Sequence, residues 1–247
     1  AETGEVLWLN DATSAEFQEQ PHSAPSFAGV APQGQMAVAG DELLIPGGRS
    51  LPAILDRHTG EQLYFDFGGK GEGGSFVAAG INHYYVHTRA RGTMALNMDD
   101  GTSAKFAVNE PVIDGNTLYT ATDSAADSAA DRAADREFEA PTIIAYGEDK
   151  TIQWSIMADG TGDLIRCGRR LYAAVNNSIT AINLPTANMP ASIAWSIPVE
   201  GEVLRLLAAN DRLFAVTLNG QIMAFGADNA EPKVFLDHSQ PASEFAI

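Results

Sequence analysis

Cysteine is almost missing from this chain: Cys167 is the only one among its 247 residues. A single thiol excludes an intramolecular disulfide and any zinc or haem site that needs paired cysteines. Set in the apolar run DLIRC, it reads as a small buried side chain. Positive charge is scarce as well, with 15 Lys and Arg against 32 Asp and Glu and a net charge of −17. Such a field repels phosphate backbones and anionic membrane surfaces, which excludes nucleic acid as a natural partner. No apolar run approaches the roughly 20 residues a membrane-spanning helix needs, so membrane insertion by helices is not expected. The opening residues 1–10 lack the basic and apolar regions of a signal peptide. Among catalytic templates there is no G-x-S-x-G, no H-E-x-x-H and no Walker sequence. What is present is an ordinary globular composition, 45% hydrophobic and 19% charged.

The positive signal is a repeat of about forty residues, the length of a propeller blade. In its first copy, QMAVAG, LLIPGG, LPAILD and QLYFDF are short β-rich runs separated by tight turns, over residues 35–67. The same order recurs over residues 75–108, 110–156, 163–197 and 203–237, and residues 1–9 carry one further strand. Each fourth run holds an aromatic in the same slot: Tyr64, Phe106, Trp154, Trp195 and Phe235, with Trp8 in the opening strand. A flat side chain recurring there would pack across to the neighbouring sheet. The expected fold class is therefore all-β: a single domain, a β-propeller of four-stranded antiparallel blades, five of them complete, plus an N-terminal strand. That strand belongs either to a blade of a larger ring or to the last blade. The candidate fourth strand at Lys233–Asp237 favours the larger ring.

Two stretches break the period. Residues 10–34 are too long for a hairpin turn and read as an ordered connection. SAADSAADRAADRE, with Asp123, Asp127, Asp131 and Asp135 spaced by four, reads as a mobile acidic excursion with no chemistry.

The stretches ILDRHTGEQLY and AETGEVLW resemble the repeat signature of pyrroloquinoline-quinone-like, or quinoprotein-like, propellers, in which an Asp and a Thr-Gly turn precede a docking tryptophan. More narrowly, residues 21–65 followed by GGSFVAAG look like extracytoplasmic propellers of planctomycete-type bacteria. The resemblance implies an eight-bladed ring, the remaining blades as partners of this segment, and a periplasmic or otherwise extracytoplasmic location. Quinoprotein dehydrogenases of this fold hold the quinone over calcium, often above adjacent cysteines. One cysteine cannot supply that pair, so no cofactor is expected in this segment, with the quinone and calcium as the alternative.

The function expected is that of a non-catalytic binding or scaffold propeller. Its alternative is the propeller portion of a quinone-dependent or redox-linked enzyme whose catalytic residues lie elsewhere. In a blade meander the second-to-third-strand turns and the connections between blades emerge on one side. That geometry gathers Arg49, Arg89 and Arg91 with Asn176, Asn177 and Asn219 from turns, and His22, Gln33 and Lys70 from connections. Of these, His22, Gln33, Arg49, Lys70, Arg89 and Arg91 form the candidate site. Guanidinium groups converging at a channel mouth suit a small anionic ligand or an acidic protein segment. No metal site is expected: His83 and His87 would lie about 13 Å apart on one strand face. His58 and His238 fall in turn and tail and read as solvated.

Overall fold

The computed structural model describes residues 3–11, 16–20, 24–48, 50–68, 72–88, 92–122, 140–227 and 233–235. Within them every regular element is a strand. After a hairpin of β1 (Glu16–Gln20) and β2 (Ala24–Ala28), blade 1 comprises β3 (Ala37–Ala39), β4 (Glu42–Ile45), β5 (Ala53–Asp56) and β6 (Gln62–Tyr64). Blade 2 has β7 (Glu72–Ala79), β8 (His83–Thr88), β9 (Gly92–Asn97) and β10 (Ser103–Val108). Blade 3 has β11 (Val112–Asp114), β12 (Thr117–Thr122), β13 (Thr142–Tyr146) and β14 (Ile152–Met157). Blade 4 has β15 (Asp163–Cys167), β16 (Arg170–Val175), β17 (Ser178–Asn183) and β18 (Ser192–Pro198). Blade 5 has β19 (Val203–Ala209), β20 (Arg212–Thr217) and β21 (Ile222–Phe225). All pairings are antiparallel between sequence neighbours, giving four four-stranded meanders and one three-stranded sheet. The chain is a β-propeller.

Burial follows from this stacking. A middle strand has a blade on either side, so β13 is buried along its whole length and its sequence, TIIAY, is a continuous apolar run. An outer strand has one covered face, and β14 alternates accordingly. First strands of successive blades approach one another, β3 to β7, β7 to β11, β11 to β15 and β15 to β19, which makes them the innermost. The core is correspondingly divided. Leu44, Ile54 and Tyr84 lie between blades 1 and 2; Tyr85, Ile144 and Tyr146 between 2 and 3; Ile143, Leu171 and Ile182 between 3 and 4; Ile179, Leu206 and Leu213 between 4 and 5. Beyond blade 1, Ile45, Leu55 and Phe65 are covered with Val30 from the connection. On blade 5, Leu207 and Ile222 remain 62% and 73% exposed.

The recurring aromatic works as its position predicts at five of its six places, Phe235 being the exception. Trp8 donates its indole N–H to the carbonyl of Arg57 at 2.9 Å, and its ring lies against Gly60 in the β5–β6 turn. Gly60 has φ +74, and a Cβ there would stand 2.5 Å from Trp8 Cε3, so only glycine admits the ring. Tyr64 lies in the same way against Gly101 of the next blade. Phe106 meets Tyr146 edge-on at 5.3 Å, under the Lys150 ammonium. Trp154 and Trp195 join the cores between blades 3 and 4 and between 4 and 5. The turns that receive Trp8, Tyr64 and Phe106 are closed by local oxygen acceptors. Asp56 Oδ1 takes the backbone N–H groups of His58 and Thr59 and the Thr59 hydroxyl; Asp100 and Asp149 likewise take the N–H and hydroxyl of Thr102 and Thr151.

The connection over residues 10–34 is ordered at residues 16–20 and 24–28, which form a hairpin in register Phe17↔Phe27. Four expectations meet a different outcome. Residues 3–11 dock through Trp8 without forming a strand, and Lys233–Phe235 carries none either, with Phe235 89% exposed; Leu236 and Asp237 lie outside the described residues. Cys167 is exposed, because it is the last residue of β15 and precedes the turn at Gly168. Asn219-Gly220 reads in the sequence as a two-residue hairpin turn, whereas the Thr217 N–H donates to the Gln221 carbonyl at 3.0 Å, leaving a three-residue loop. The acidic excursion at Asp123, Asp127, Asp131 and Asp135 lies outside the described residues, bracketed by the paired Thr122 and Thr142.

Candidate functional site

The second-to-third-strand turns and the connections between blades do share one face. Gly48, in the β4–β5 turn, donates its N–H to Gly74 of blade 2 at 3.1 Å, and Gln33, from the connection before β3, donates its own to Pro46 at 2.8 Å. In blade 4, Val199 and Val203 donate to the carbonyls of Asn177 and Asn176, and in blade 5 Leu218 donates to Glu202. The bonds run both ways, Gln33, Val199 and Val203 donating to turn carbonyls and Gly48 and Leu218 donating from their turns, so turn and connection satisfy each other's backbone groups.

Of the six candidate residues, Gln33 is described: it is exposed and its side-chain amide lies over Gly48. His22, Arg49, Lys70, Arg89 and Arg91 lie outside the described residues. The three asparagines from turns have structural work. Asn176 adopts φ +49, a left-handed conformation that asparagine tolerates. Asn177 receives the Val199 bond, and Asn219 accepts from the Thr217 hydroxyl while its amide packs on Gly201.

At this face the innermost strands of four blades surround a cavity of about 330 Å3. Phe76, Pro111, Val112, Leu164 and Leu204 provide its apolar wall; Asn109, Glu110, Thr161, Asp163 and Arg205 provide its polar groups. Asp163 is 8% exposed, accepts the Leu206 N–H at 2.6 Å and pairs with Arg205 at 3.2 Å, tying blade 4 to blade 5. A second tie between first strands, Arg166 to Asp114 at 2.8 Å, joins blades 4 and 3. Asp114 contributes to holding the Tyr119 phenol above its ordinary value, after the larger effect of burial. Sequence reading missed the cavity residues because it took its candidates from turns. The signal was available in the first strands, where Glu110, Asp163 and Arg205 hold the same place relative to the turns at Gly115, Gly168 and Asn210.

The opposite face carries a smaller cleft. Glu148 accepts from Asn82 at 2.6 Å and from Asn116 at 2.7 Å, linking blades 2 and 3 above a cleft of about 50 Å3. Beside it the His83 imidazole is held below its ordinary value by burial and by the Lys150 charge, with Glu148 opposing. Burial alone pushes the Tyr85 phenol to about 12. This cleft is water-sized, while the mouth cavity reaches the lower end of the roughly 300–1,000 Å3 of ligand sites.

No protein-family model and no curated protein matches the chain. Solved structures do. The computationally designed Ika8 protein matches at 10% identity and TM-score 0.52, over 91% of this chain and 63% of that one. The WD40 beta propeller domain of Doa1 matches at 6% identity and TM-score 0.52, over 78% and 63%. BBS1N, solved in complex with ARL6DN, matches at 12% identity and TM-score 0.51, over 83% and 70%. The chain thus spans less than two thirds of the Ika8 and Doa1 chains. At such identities the likeness concerns architecture alone, and it is to propellers that this architecture is similar.

Proposed function

We propose that this chain is a non-catalytic binding propeller that engages a protein partner at the channel mouth. The observation that carries the reading is the mouth cavity, a concave site shared by four blades, with apolar walls and groups of both charges. Mixed lining of this kind suits a protein surface better than a simple anion, which would want uncompensated positive charge. A neighbour of the same fold, BBS1N, is held in a complex with ARL6DN, so the architecture can seat a protein. Arg49, Arg89 and Arg91 belong by sequence to the second-to-third-strand turns of blades 1 and 2, and remain candidates for acidic parts of that partner. The resemblance to quinoprotein-like propellers supports an extracytoplasmic site of action. The exposed Leu207 and Ile222 of blade 5 support a ring with further blades.

The runner-up is a quinone-dependent enzyme. Calcium beneath a quinone needs several oxygen ligands. At the cavity Asp163 already satisfies Leu206 and Arg205, and among the described residues no three His, Cys, Asp or Glu side chains converge. The described residues therefore do not fit that group.

Two experiments test the reading. Purified chain with pyrroloquinoline quinone, calcium, an acceptor dye and a panel of alcohols and sugars should leave the dye unreduced; turnover proportional to protein would overturn the non-catalytic part. A partner captured by the wild-type chain should be released by Thr161→Tyr, which fills the cavity, and retained by Asn188→Ala on the opposite face. Equal retention by both would overturn the mouth as the binding surface.

A further inference from the structure

The charges around the mouth cavity are not equivalent. One residue of each repeat stands five positions before the turn residue that ends the first strand, Gln35, Ser75, Glu110, Asp163 and Arg205 before Gly40, Gly80, Gly115, Gly168 and Asn210, and the last three of them line the cavity. The lining's positive member, Arg205, is neutralised by Asp163, whose second oxygen is occupied by the Leu206 N–H. Glu110 is exposed and has no ion pair or hydrogen bond through its side chain among the described residues. Among the described residues its carboxylate thus has no counter-charge, at a cavity whose wall includes the apolar Phe76, Pro111 and Leu204, the last 50% exposed. A charge that is to be partly desolvated needs a counter-charge. The surrounding field, set by a net charge of −17, draws cations toward it.

We infer that this cavity receives a lysine or arginine side chain of the protein partner, its cationic head on Glu110 and its methylene stem along Pro111 and Leu204. The inference rests on the mouth being the binding surface and adds the chemistry of what enters it. Long basic side chains suit the lining because their stems cover apolar surface while the head stays polar. Phe76 offers the head an aromatic neighbour. At about 330 Å3 the cavity admits an extended side chain and excludes a helix, which is about 10 Å across before its partner is counted.

The probes are four blocked nonapeptides of Gly and Ser with one central Arg, Lys, Gln or Glu. Each is titrated into the isotope-labelled chain at fixed ionic strength and followed by amide chemical shifts. The Arg and Lys peptides should move the amides of Glu110, Gly162 and Arg205 saturably; the Gln and Glu peptides should not. Glu110→Gln should weaken that binding at least tenfold. Glu61→Gln, which removes the same unit of charge on the opposite face, should leave it within twofold. Equal weakening by both variants, or shifts spread over the acidic surface without saturation, would mean diffuse attraction and overturn the assignment. If basic peptides leave the lining unmoved while Thr161→Tyr still releases the captured partner, the basic-side-chain assignment falls and the mouth reading stands. If Thr161→Tyr also fails to release it, both fall.

Discussion

The glycine under Trp8 gives a sharp test of how blades are joined. Gly60 and Gly168 have similar left-handed backbones, φ +74 and +57, but different surroundings. A Cβ at Gly168 meets nothing within 4 Å, whereas one at Gly60 runs into the Trp8 ring. Gly168→Ala should therefore cost only the left-handed penalty, about 1–2 kcal/mol. Gly60→Ala pays the same and also lifts the indole off its seat. That forfeits the bond to the Arg57 carbonyl, about 0.5–1.5 kcal/mol, and the contact of a half-buried ring, about 1–2 kcal/mol. The expected total is about 3–5 kcal/mol in urea melts, with the midpoint moved and the slope unchanged. In a Trp8→Ala background the cost of Gly60→Ala should shrink to about that of Gly168→Ala, since the obstacle is gone. If the two glycine variants differ by less than about 0.5 kcal/mol in the wild-type background, Trp8 is not docked there and the account of the aromatic slot is wrong.

Trp154→Ala and Trp195→Ala should each cost about 2–3 kcal/mol, below the 3–5 of fully buried rings, because both are half-buried on outer strands; denaturant melts giving under 1 kcal/mol would refute the interface role. Deleting Ser124–Arg136 should leave the melting temperature nearly unchanged, because Thr122 and Thr142 already pair across the base of that turn; a fall of more than about 4 °C would show the excursion to be docked. Three turn carboxylates sit below the ordinary aspartate value of 3.8: Asp56 through the N–H groups of Thr59 and His58, Asp100 and Asp149 through the hydroxyls and N–H groups of Thr102 and Thr151. A carboxylate lowered by folding stabilises the native state above its unfolded value and loses that contribution as pH falls through the folded one. Stability should thus hold from neutrality down to about pH 4 and then decline, and the triple Asp→Asn variant should show a shallower decline; an identical acid profile would refute the assignment.

Much of the fold was legible because the repeat enforces it locally. LPAILD reads as a strand and β5 occupies its last four residues, and the recurring aromatic slot anticipates that Tyr64, Trp154 and Trp195 join adjacent blades, while their seats on Asp-Thr turns with glycine are visible only in the structure. What escaped had no local signature. EFQEQ and APSFA, rich in polar residues and carrying a proline, look like a connection, yet they pair. Cys167 sits in an apolar run, but a strand's last residue leaves the shelter of its neighbours, and periodicity says nothing of where the sheet ends. The mouth cavity escaped for a different reason: Glu110, Asp163 and Arg205 are far apart in sequence and become one lining only when the first strands converge. Four further members of the candidate site and Arg49 were chosen from loops outside the described residues, and Gln33, the sixth, stands on the face the meander geometry assigned to it.

The division of the core into separate clusters, each owned by two adjacent blades, makes the molecule behave like a row of links rather than a single drop of oil. A defect in one link is felt by the blades on either side and hardly beyond them. Heating or pulling should open the row one interface at a time and release it in blade-sized steps. Limited proteolysis would then leave a ladder of fragments that differ by one repeat, each still holding the interfaces that remain.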